Sequence, residues 1–248
     1  MDLTMSIFEQ ADKLKNILDG FRPLDPYILK NLVEDLIIRW TYHSNAIEGN
    51  TLTLLETKVV LEGITVGGKN LREHFEAINH KDAILYVQEI IQNKEPISEW
   101  QIRNIHQLVL KQIDDENAGR YRKNNVIITG ARHFPPDIFA FDQQMQELMV
   151  WYDNSQNLHP IERACHLHAV FVGIHPFVDG NGRTSRLLMN FELMKSGYPP
   201  CIIKVEDRLK YYFALDAWLV DQNKQPFLEL INQAVIESFG PYQRLLNF

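Results

Sequence analysis

The stretch that decides the fold is Ile161–Gly197, "IERACHLHAVFVGIHPFVDGNGRTSRLLMNFELMKSG". Its first third is apolar on nearly every side, which predicts a central buried helix. Its last third places apolar residues at helical spacing and ends at Gly197, which is typical of a helix C-terminus. Between them lies the polar loop "HPFVDGNGRTSR", His175–Arg186. The stretch therefore predicts two helices joined by a loop rich in charge and glycine.

Helical patterns also cover most of the remaining chain. In "DPYILKNLVEDLIIRW" Asp25 is a predicted N-cap and Pro26 the first helical residue, and Ser98 is the predicted cap of "SEWQIRNIHQLVLKQI". Further helices are predicted in "DQQMQELMVWYD" (142–153) and "PFLELINQAVIESF" (226–239). Only "NNVIITGARHFPP" (124–136) reads as a short β-hairpin. The predicted fold class is all-α with one small hairpin.

Composition limits the class of protein. The chain has 248 residues, 45% hydrophobic and 23% charged, as expected of a soluble globular protein. A net charge of −7 argues against general nucleic-acid binding. We find no apolar run long enough for a membrane span and no leader pattern in "MDLTMSIFEQADKLKN". Cys165 and Cys201 are expected to be buried free thiols, and the expected location is the cytoplasm.

The polar loop carries the chemistry. His175 precedes a proline, so the buried helix is expected to end there. Gly180–Gly182 lead into the next helix, whose first N–H groups and partial positive charge favour an anion. Arg183 and Arg186 lie on one face of that helix and suit phosphate oxygens. Asp179 would repel phosphate unless a divalent cation bridges the two. The loop predicts a polyphosphate site beside a candidate general base, with a solvated interhelical turn as the alternative.

The loop resembles the signature of the Fic family, His-Pro-Phe-x-[Asp/Glu]-Gly-Asn-Gly-Arg-x-x-Arg, at every defined position. The likeness covers roughly residues 97–233 and implies a helical bundle with a β-hairpin flap over the active site. It implies an N-terminal helical region at 1–96, a catalytic domain at 97–233 and a helical tail at 234–248.

The resemblance implies a protein adenylyltransferase. His175 would deprotonate a Tyr, Thr or Ser hydroxyl of a target protein, or of the chain itself, for attack on the α-phosphate of ATP. Asp179 would hold Mg²⁺, with Mn²⁺ as an alternative. Gly180 favours AMP transfer, because relatives that phosphorylate their targets carry alanine there. Alternatives are removal of AMP, transfer of another phosphate-containing group on the same fold, and a non-catalytic nucleotide-sensing module.

The resemblance also implies a set of nucleotide contacts. Phe177 would anchor the loop in the core, and the flap would pair with an extended target segment by β-augmentation. For Tyr211 and Tyr212, which we call the tyrosine pair, the alternative role is core packing. A homodimer is one candidate assembly of the protein. The implied nucleotide-binding residues are Gly180, Asn181, Gly182, Arg183, Thr184, Ser185 and Arg186, with Val126, Ile127, Ile128 and Thr129 in the flap and Tyr211 and Tyr212.

A second motif, "SNAIEGN", ends the helix predicted around residues 40–49. Taken alone, Glu48 reads as a solvated carboxylate at a helix end. The segment also resembles the family's inhibitory pattern, [Ser/Thr]-x-x-x-Glu-[Gly/Asn], through Ser44, Glu48 and Gly49. The resemblance implies that Glu48 pairs with Arg186 and displaces the γ-phosphate of ATP, so that the enzyme inhibits itself.

Overall fold

The computed structural model describes residues 3–248; the first two residues of the predicted N-terminal region lie outside this range. The described chain forms eleven α-helices and one short 3₁₀ turn, Val205–Asp207, and contains no β-strand. The helices are α1 (Leu3–Asp19), α2 (Pro26–Ile47), α3 (Leu54–Leu61), α4 (Leu71–Gln92), α5 (Glu99–Leu110), α6 (Ile138–Asn154), α7 (Pro160–Ile174), α8 (Asn181–Lys195), α9 (Arg208–Leu219), α10 (Gln225–Ser238) and α11 (Gly240–Leu246).

The predicted helix starts are confirmed where the caps are local. The Asp25 side chain accepts a hydrogen bond from the Tyr27 N–H, and Pro26 is the first residue of α2. Ser98 likewise caps α5 through the Gln101 N–H. The Gln101 side chain does not return to Ser98 but donates to Glu95, so the reciprocal bond of a capping box does not form. Local hydrogen bonds of this kind need no tertiary partner, which is why the sequence predicts them.

Helices α7 and α8 form the centre of the molecule, and a hydrophobic core lies on each side of them. One core joins Ala164 and Ala169 of α7 to α1, α9 and α10. The other joins Leu167 and Phe171 of α7 to α4, α5 and α6. Helix α7 contributes to both cores, which explains why its sequence is apolar on nearly every side.

The domain boundaries at 96/97 and 233/234 stay a prediction. Ile84 of α4 shares a core with Ile102 of α5, and Phe8 of α1 shares the other core with Val235 of α10. Both cores therefore combine side chains from either side of a predicted boundary.

The predicted hairpin does not form as a strand pair. Residues 124–136 contain no strand, and their one internal backbone hydrogen bond joins the Ala131 N–H to the Ile128 carbonyl at 3.2 Å. Pro135 and Pro136 have no N–H to donate, so the second arm cannot complete a ladder. Side chains hold the segment instead: Arg132 binds Asp221, and His133 contacts the Gly173 carbonyl. We call residues 124–136 the flap loop.

Two further expectations concern the cysteines and membranes. Cys165 and Cys201 are free and buried, as predicted. In residues 3–248 no helix is both long enough and apolar enough to cross a bilayer.

Candidate active site

The loop between α7 and α8 is a closed turn built by its own residues. His175 ends α7 in a left-handed conformation with φ of 53°, and Gly180 begins α8 with φ of 75°. Between them, the Asn181 side chain accepts from the Phe177 N–H at 2.9 Å and donates to the Phe177 carbonyl at 2.8 Å. The first N–H groups of α8 consequently face the site without helical partners.

A buried histidine, His106, supports this loop from α5. Its ring stacks on Phe177 with centroids 3.5 Å apart, and Phe177 is fully buried, as expected of an anchor. The Nδ1 atom accepts from the Gly119 N–H, so Nε2 carries the proton and donates to the Asp179 carbonyl at 2.9 Å. Burial lowers the pKa of His106 to about 4, which keeps the ring neutral. The sequence did not indicate this role, because the partners of His106 come from distant segments.

His175 has the protonation state of a base. Its Nδ1 lies 3.3 Å from the Val172 carbonyl, so Nδ1 donates and Nε2 is left to accept a proton. Burial lowers the pKa of His175 below its ordinary value and outweighs the opposing effect of the Val172 carbonyl. The neutral imidazole therefore prevails at neutral pH.

Arg122, which no sequence motif singles out, ties His175 to the flap loop. Its guanidinium donates to the carbonyls of His175 at 3.0 Å, Asn124 at 2.9 Å and Pro136 at 2.6 Å. The side chain is almost wholly buried. One arginine thus fixes the end of α7 and both ends of the flap loop.

A cavity of about 390 Å³ opens beside His175. Its volume lies in the range of small-molecule sites, and both apolar and charged side chains line it. The lining residues are Glu48, Ile128, Thr129, Gly130, Ala131, His133, Val172, His175, Gly182, Arg186, Arg208, Tyr211, Tyr212, Leu215, Asp216 and Leu219.

Beside Gly182, the wall of the cavity is formed by a clamp between the end of α2 and α8. Arg186 Nη2 donates to Glu48 Oε1 at 2.7 Å and to the Ser44 carbonyl at 2.9 Å. Arg186 Nε donates to the Ser44 hydroxyl at 3.1 Å. The Arg186 side chain is only 4% exposed, whereas that of Glu48 is 34% exposed and faces the cavity. The structure thus pairs Glu48 with Arg186, the contact that the resemblance implied. We call these contacts the Glu48 clamp.

The Glu48 carboxylate lies directly over the start of α8. A Cβ atom placed on Gly182 would come within 2.3 Å of Glu48 Oε1. The turn that aims Glu48 here passes through Gly49, whose φ of 99° suits glycine. The carboxylate therefore occupies the space in front of the N–H groups that the sequence assigns to phosphate.

Asp179 and Arg183 lie on the other side of the loop. Asp179 accepts from Arg72 at 2.6 Å, from the Gly180 N–H at 2.6 Å and from Arg183 at 3.3 Å. Burial alone would raise the pKa of Asp179, but the charge of Arg183, the Gly180 N–H and Arg72 outweigh it, and the pKa lies below its ordinary value. Arg183 is buried, and its Nη1 lies 3.6 Å from Glu76.

Only some of the remaining predicted nucleotide-binding residues lie at the cavity. Ile128, Thr129, Tyr211 and Tyr212 line the cavity, whereas Val126 and Ile127 do not. Both Thr184 and Ser185 have fully buried side chains, and Ser185 donates to the Gly182 carbonyl. For the tyrosine pair, core packing is observed at Tyr211, and contact with a nucleotide stays a prediction. Tyr211 packs in the core, and burial raises its pKa to about 12, while its hydroxyl lies 3.0 Å from His168 and 3.5 Å from Arg186. His168 is thereby a hydrogen-bonded core residue.

The fold and the site define a helical protein with a glycine- and arginine-rich loop between its two central helices, and known proteins agree. The Fic/DOC family matches residues 96–193. Fic-1 from C. elegans superposes with a TM-score of 0.87 at 31% identity, over 99% of this chain and 72% of that one. A Fic domain containing signaling protein from Bacteroides thetaiotaomicron gives a TM-score of 0.86 at 30% identity, over 96% of this chain and 98% of that one. The chain belongs to the Fic/DOC family.

Sequence relatives carry a named activity. The chain is 41% identical to the protein adenylyltransferase Fic of Nematostella vectensis over 210 residues, which is 83% of this chain and 48% of that protein. It is 38% identical to the protein of the same name in Drosophila persimilis, over 85% of this chain and 39% of that protein. The chain thus spans about half or less of the length of these relatives.

Proposed function

We propose that this chain is a protein adenylyltransferase that transfers AMP from ATP to a Tyr, Thr or Ser hydroxyl and is held inactive by the Glu48 clamp. The observation that carries the proposal is that Arg186 and Gly182 line the same cavity as His175. The names of the sequence relatives support the same activity.

In the proposed reaction, His175 Nε2 takes the proton of the target hydroxyl. The hydroxyl oxygen bonds to the α-phosphorus, the bond from that phosphorus to the bridging oxygen breaks, and pyrophosphate leaves. The lowered pKa of His175 supports this role, since the ring must be neutral to accept the proton. Val172 fixes the tautomer, and Arg122 fixes the backbone of the base.

The phosphates would bind at the start of α8. The N–H groups of Asn181, Gly182 and Arg183 lack helical partners, and Gly182 leaves space for an anion to approach them. Arg186 would bind the terminal phosphate once Glu48 has left it. Arg183 stands behind the loop, where its charge still favours the anion.

Asp179 fits the requirements of a Mg²⁺ or Mn²⁺ ligand. Mg²⁺ bound with a nucleotide takes one or two carboxylates and fills its remaining positions with phosphates and water. Asp179 is such a carboxylate, 44% exposed and with a lowered pKa. In the described chain no cluster of three His, Cys, Asp or Glu residues could hold a metal without the nucleotide. When bound, the cation would neutralise phosphate charge.

The target protein would dock at the flap loop. Ile127 is 78% exposed, so this part of the loop is available to a partner although it makes no ladder of its own. An extended target segment could supply the missing strand partner. Self-modification and a homodimer stay predictions.

A label-transfer assay tests the proposed function. ATP labelled at the α- or γ-phosphate is incubated with Mg²⁺ and with wild type, Glu48→Gly or Glu48→Gly/His175→Ala. We expect label on protein from the α-position only, strongest in Glu48→Gly and absent without His175. Label from the γ-position would instead indicate a phosphotransferase. Hydrolytic release of AMP from a labelled target would indicate the reverse role.

A further inference from the structure

The carboxylate of Asp179, which the proposed function assigns to a divalent cation, already has a cationic partner. Arg72 Nη2 donates to Asp179 Oδ2 at 2.6 Å, although Arg72 belongs to α4, 107 residues earlier in the chain. The other oxygen, Oδ1, accepts from the Gly180 N–H and from Arg183. Both carboxylate oxygens are therefore engaged in this state of the protein.

Arg72 is held in place by a second carboxylate. Its Nε donates to Glu76 Oε1 at 3.1 Å, one helical turn along α4. The same Glu76 oxygen lies 3.6 Å from Arg183 Nη1. Arg72, Asp179, Arg183 and Glu76 thus form a ring in which positive and negative charges alternate, and we call it the charge ring. Glu76 is only 12% exposed, which reduces the screening of its charge by water.

The charge ring is connected to the Glu48 clamp. Asn50, two residues after Glu48, donates to Glu76 Oε2 at 2.9 Å and to the Glu73 carbonyl at 3.1 Å. The inhibitory segment therefore supports the carboxylate that holds Arg72. Withdrawal of this segment from the site would remove a hydrogen bond from Glu76.

A bound cation and Arg72 would compete for Asp179. The guanidinium does not lose its charge at any pH relevant to proteins, so it cannot yield by deprotonation. A divalent cation on Asp179 would repel it. We propose that Arg72 is a positioning residue that occupies Asp179 while no cation is bound there and thereby lowers the affinity of the nucleotide site for its divalent cation. This inference rests on the proposed function, because that function assigns the cation to Asp179.

The test measures binding rather than turnover. Isothermal titration calorimetry gives the affinity for AMPPNP in Mn²⁺ and in EDTA, in the Glu48→Gly background, and the ratio of the two reports the contribution of the cation. Arg72→Gln should raise this ratio by about two- to fivefold, the range of an exposed ion pair. Arg72→Lys, which keeps the charge, should raise it less. Loss of the Arg72 charge also weakens the general attraction of the protein for the anionic nucleotide. This effect acts both in Mn²⁺ and in EDTA, so it cancels in the ratio.

A matched control is Arg39→Gln. Arg39 pairs with Asp35 on α2, and the two side chains are 47% and 49% exposed, close to the 56% and 44% of Arg72 and Asp179. This control should leave the ratio unchanged. A ratio that does not rise in Arg72→Gln, or that rises equally in Arg39→Gln, overturns the inference.

Asp179→Asn separates the inference from the proposed function. With Asp179→Asn present, Arg72→Gln should no longer alter the ratio, and a persisting effect contradicts competition for this carboxylate. If Glu48→Gly binds AMPPNP with Mn²⁺ but Arg72→Gln changes nothing, the inference alone fails. If no variant binds AMPPNP, the proposed function fails and the inference fails with it.

Discussion

Replacement of Glu48 by glycine tests the clamp most directly. The variant removes the carboxylate from Arg186 and from the space above Gly182, and it leaves the Ser44 contacts in place. A hydrogen bond to a charged group contributes about 1.5–3 kcal/mol, which corresponds to about 10- to 150-fold in an equilibrium. Since Glu48 is 34% exposed, water screens the pair and the lower end of this range applies.

The expected result is a rise in kcat/KM for transfer of α-labelled AMP of about 10- to 30-fold. The physical reason is a population effect. If the clamp blocks productive binding of the nucleotide, the apparent affinity is the intrinsic affinity multiplied by the fraction of molecules whose clamp is open. Removal of the clamp restores the intrinsic affinity. Ser44→Ala removes only the bond to Arg186 Nε and should give a smaller rise, about two- to tenfold.

Glu62→Gly is the matched control. Glu48 and Glu62 both follow the last residue of a helix, with φ of −84° and −82°, and each precedes a glycine with positive φ. In residues 3–248, Glu62 forms no ion pair with Arg186, and its one ion pair is with Lys58 at 3.8 Å. A rise below twofold in Glu48→Gly, or an equal rise in Glu62→Gly, would refute the reasoning.

The other predictions concern stability and pH. Arg122→Ala should lower the free energy of unfolding in urea by about 2–4 kcal/mol, because it removes a buried side chain and leaves three carbonyls without their donor. Arg39→Ala, at an exposed site, should lower it by less than about 1 kcal/mol. In the activated variant, turnover should fall with acid only below pH 6.5, since the pKa of His175 lies below that ordinary value; a midpoint above pH 7 would contradict a neutral base with a lowered pKa. Burial holds the pKa of His80 and of His168 well below 6.5 in the folded protein. At a pH between the lowered pKa and 6.5, the unfolded chain therefore binds more protons than the folded one. The free energy of unfolding should therefore decrease below pH 6.5, by at most about 1.4 kcal/mol per pH unit for each ring, and calorimetric melting of His80→Gln should show a shallower decrease.

Much of the site could be predicted from the signature because its geometry is local. The end of α7 at His175, the left-handed Gly180 and the start of α8 all lie within one short segment. The closing hydrogen bonds of Asn181 reach only four residues back. A contact over this range follows from backbone geometry and from the choice of residue, so the order of residues is sufficient to indicate it.

The flap loop shows where a local pattern fails. Residues 124–136 carry the β-branched residues and turn signals of a hairpin, yet no strand forms among them. A strand is stabilised by a ladder of hydrogen bonds to a partner, and two prolines remove donors from one arm. Arg122, Arg132 and His133 hold the loop through side chains instead.

The sequence by itself determined the helical class and the central α7–loop–α8 unit with its loop His175–Arg186, because helical periodicity, caps and turns depend on neighbours along the chain. Only the tertiary structure decided which side chains complete the site. Arg72 meets Asp179 across 107 residues, and His106 meets the Asp179 carbonyl across 73. Glu48 meets Arg186 across 138 residues, a pairing that only the resemblance to the family had implied. Such pairs form because helices α2, α4 and α5 bury their apolar faces on the central pair, and that packing brings together polar groups whose spacing in the sequence carries no signal.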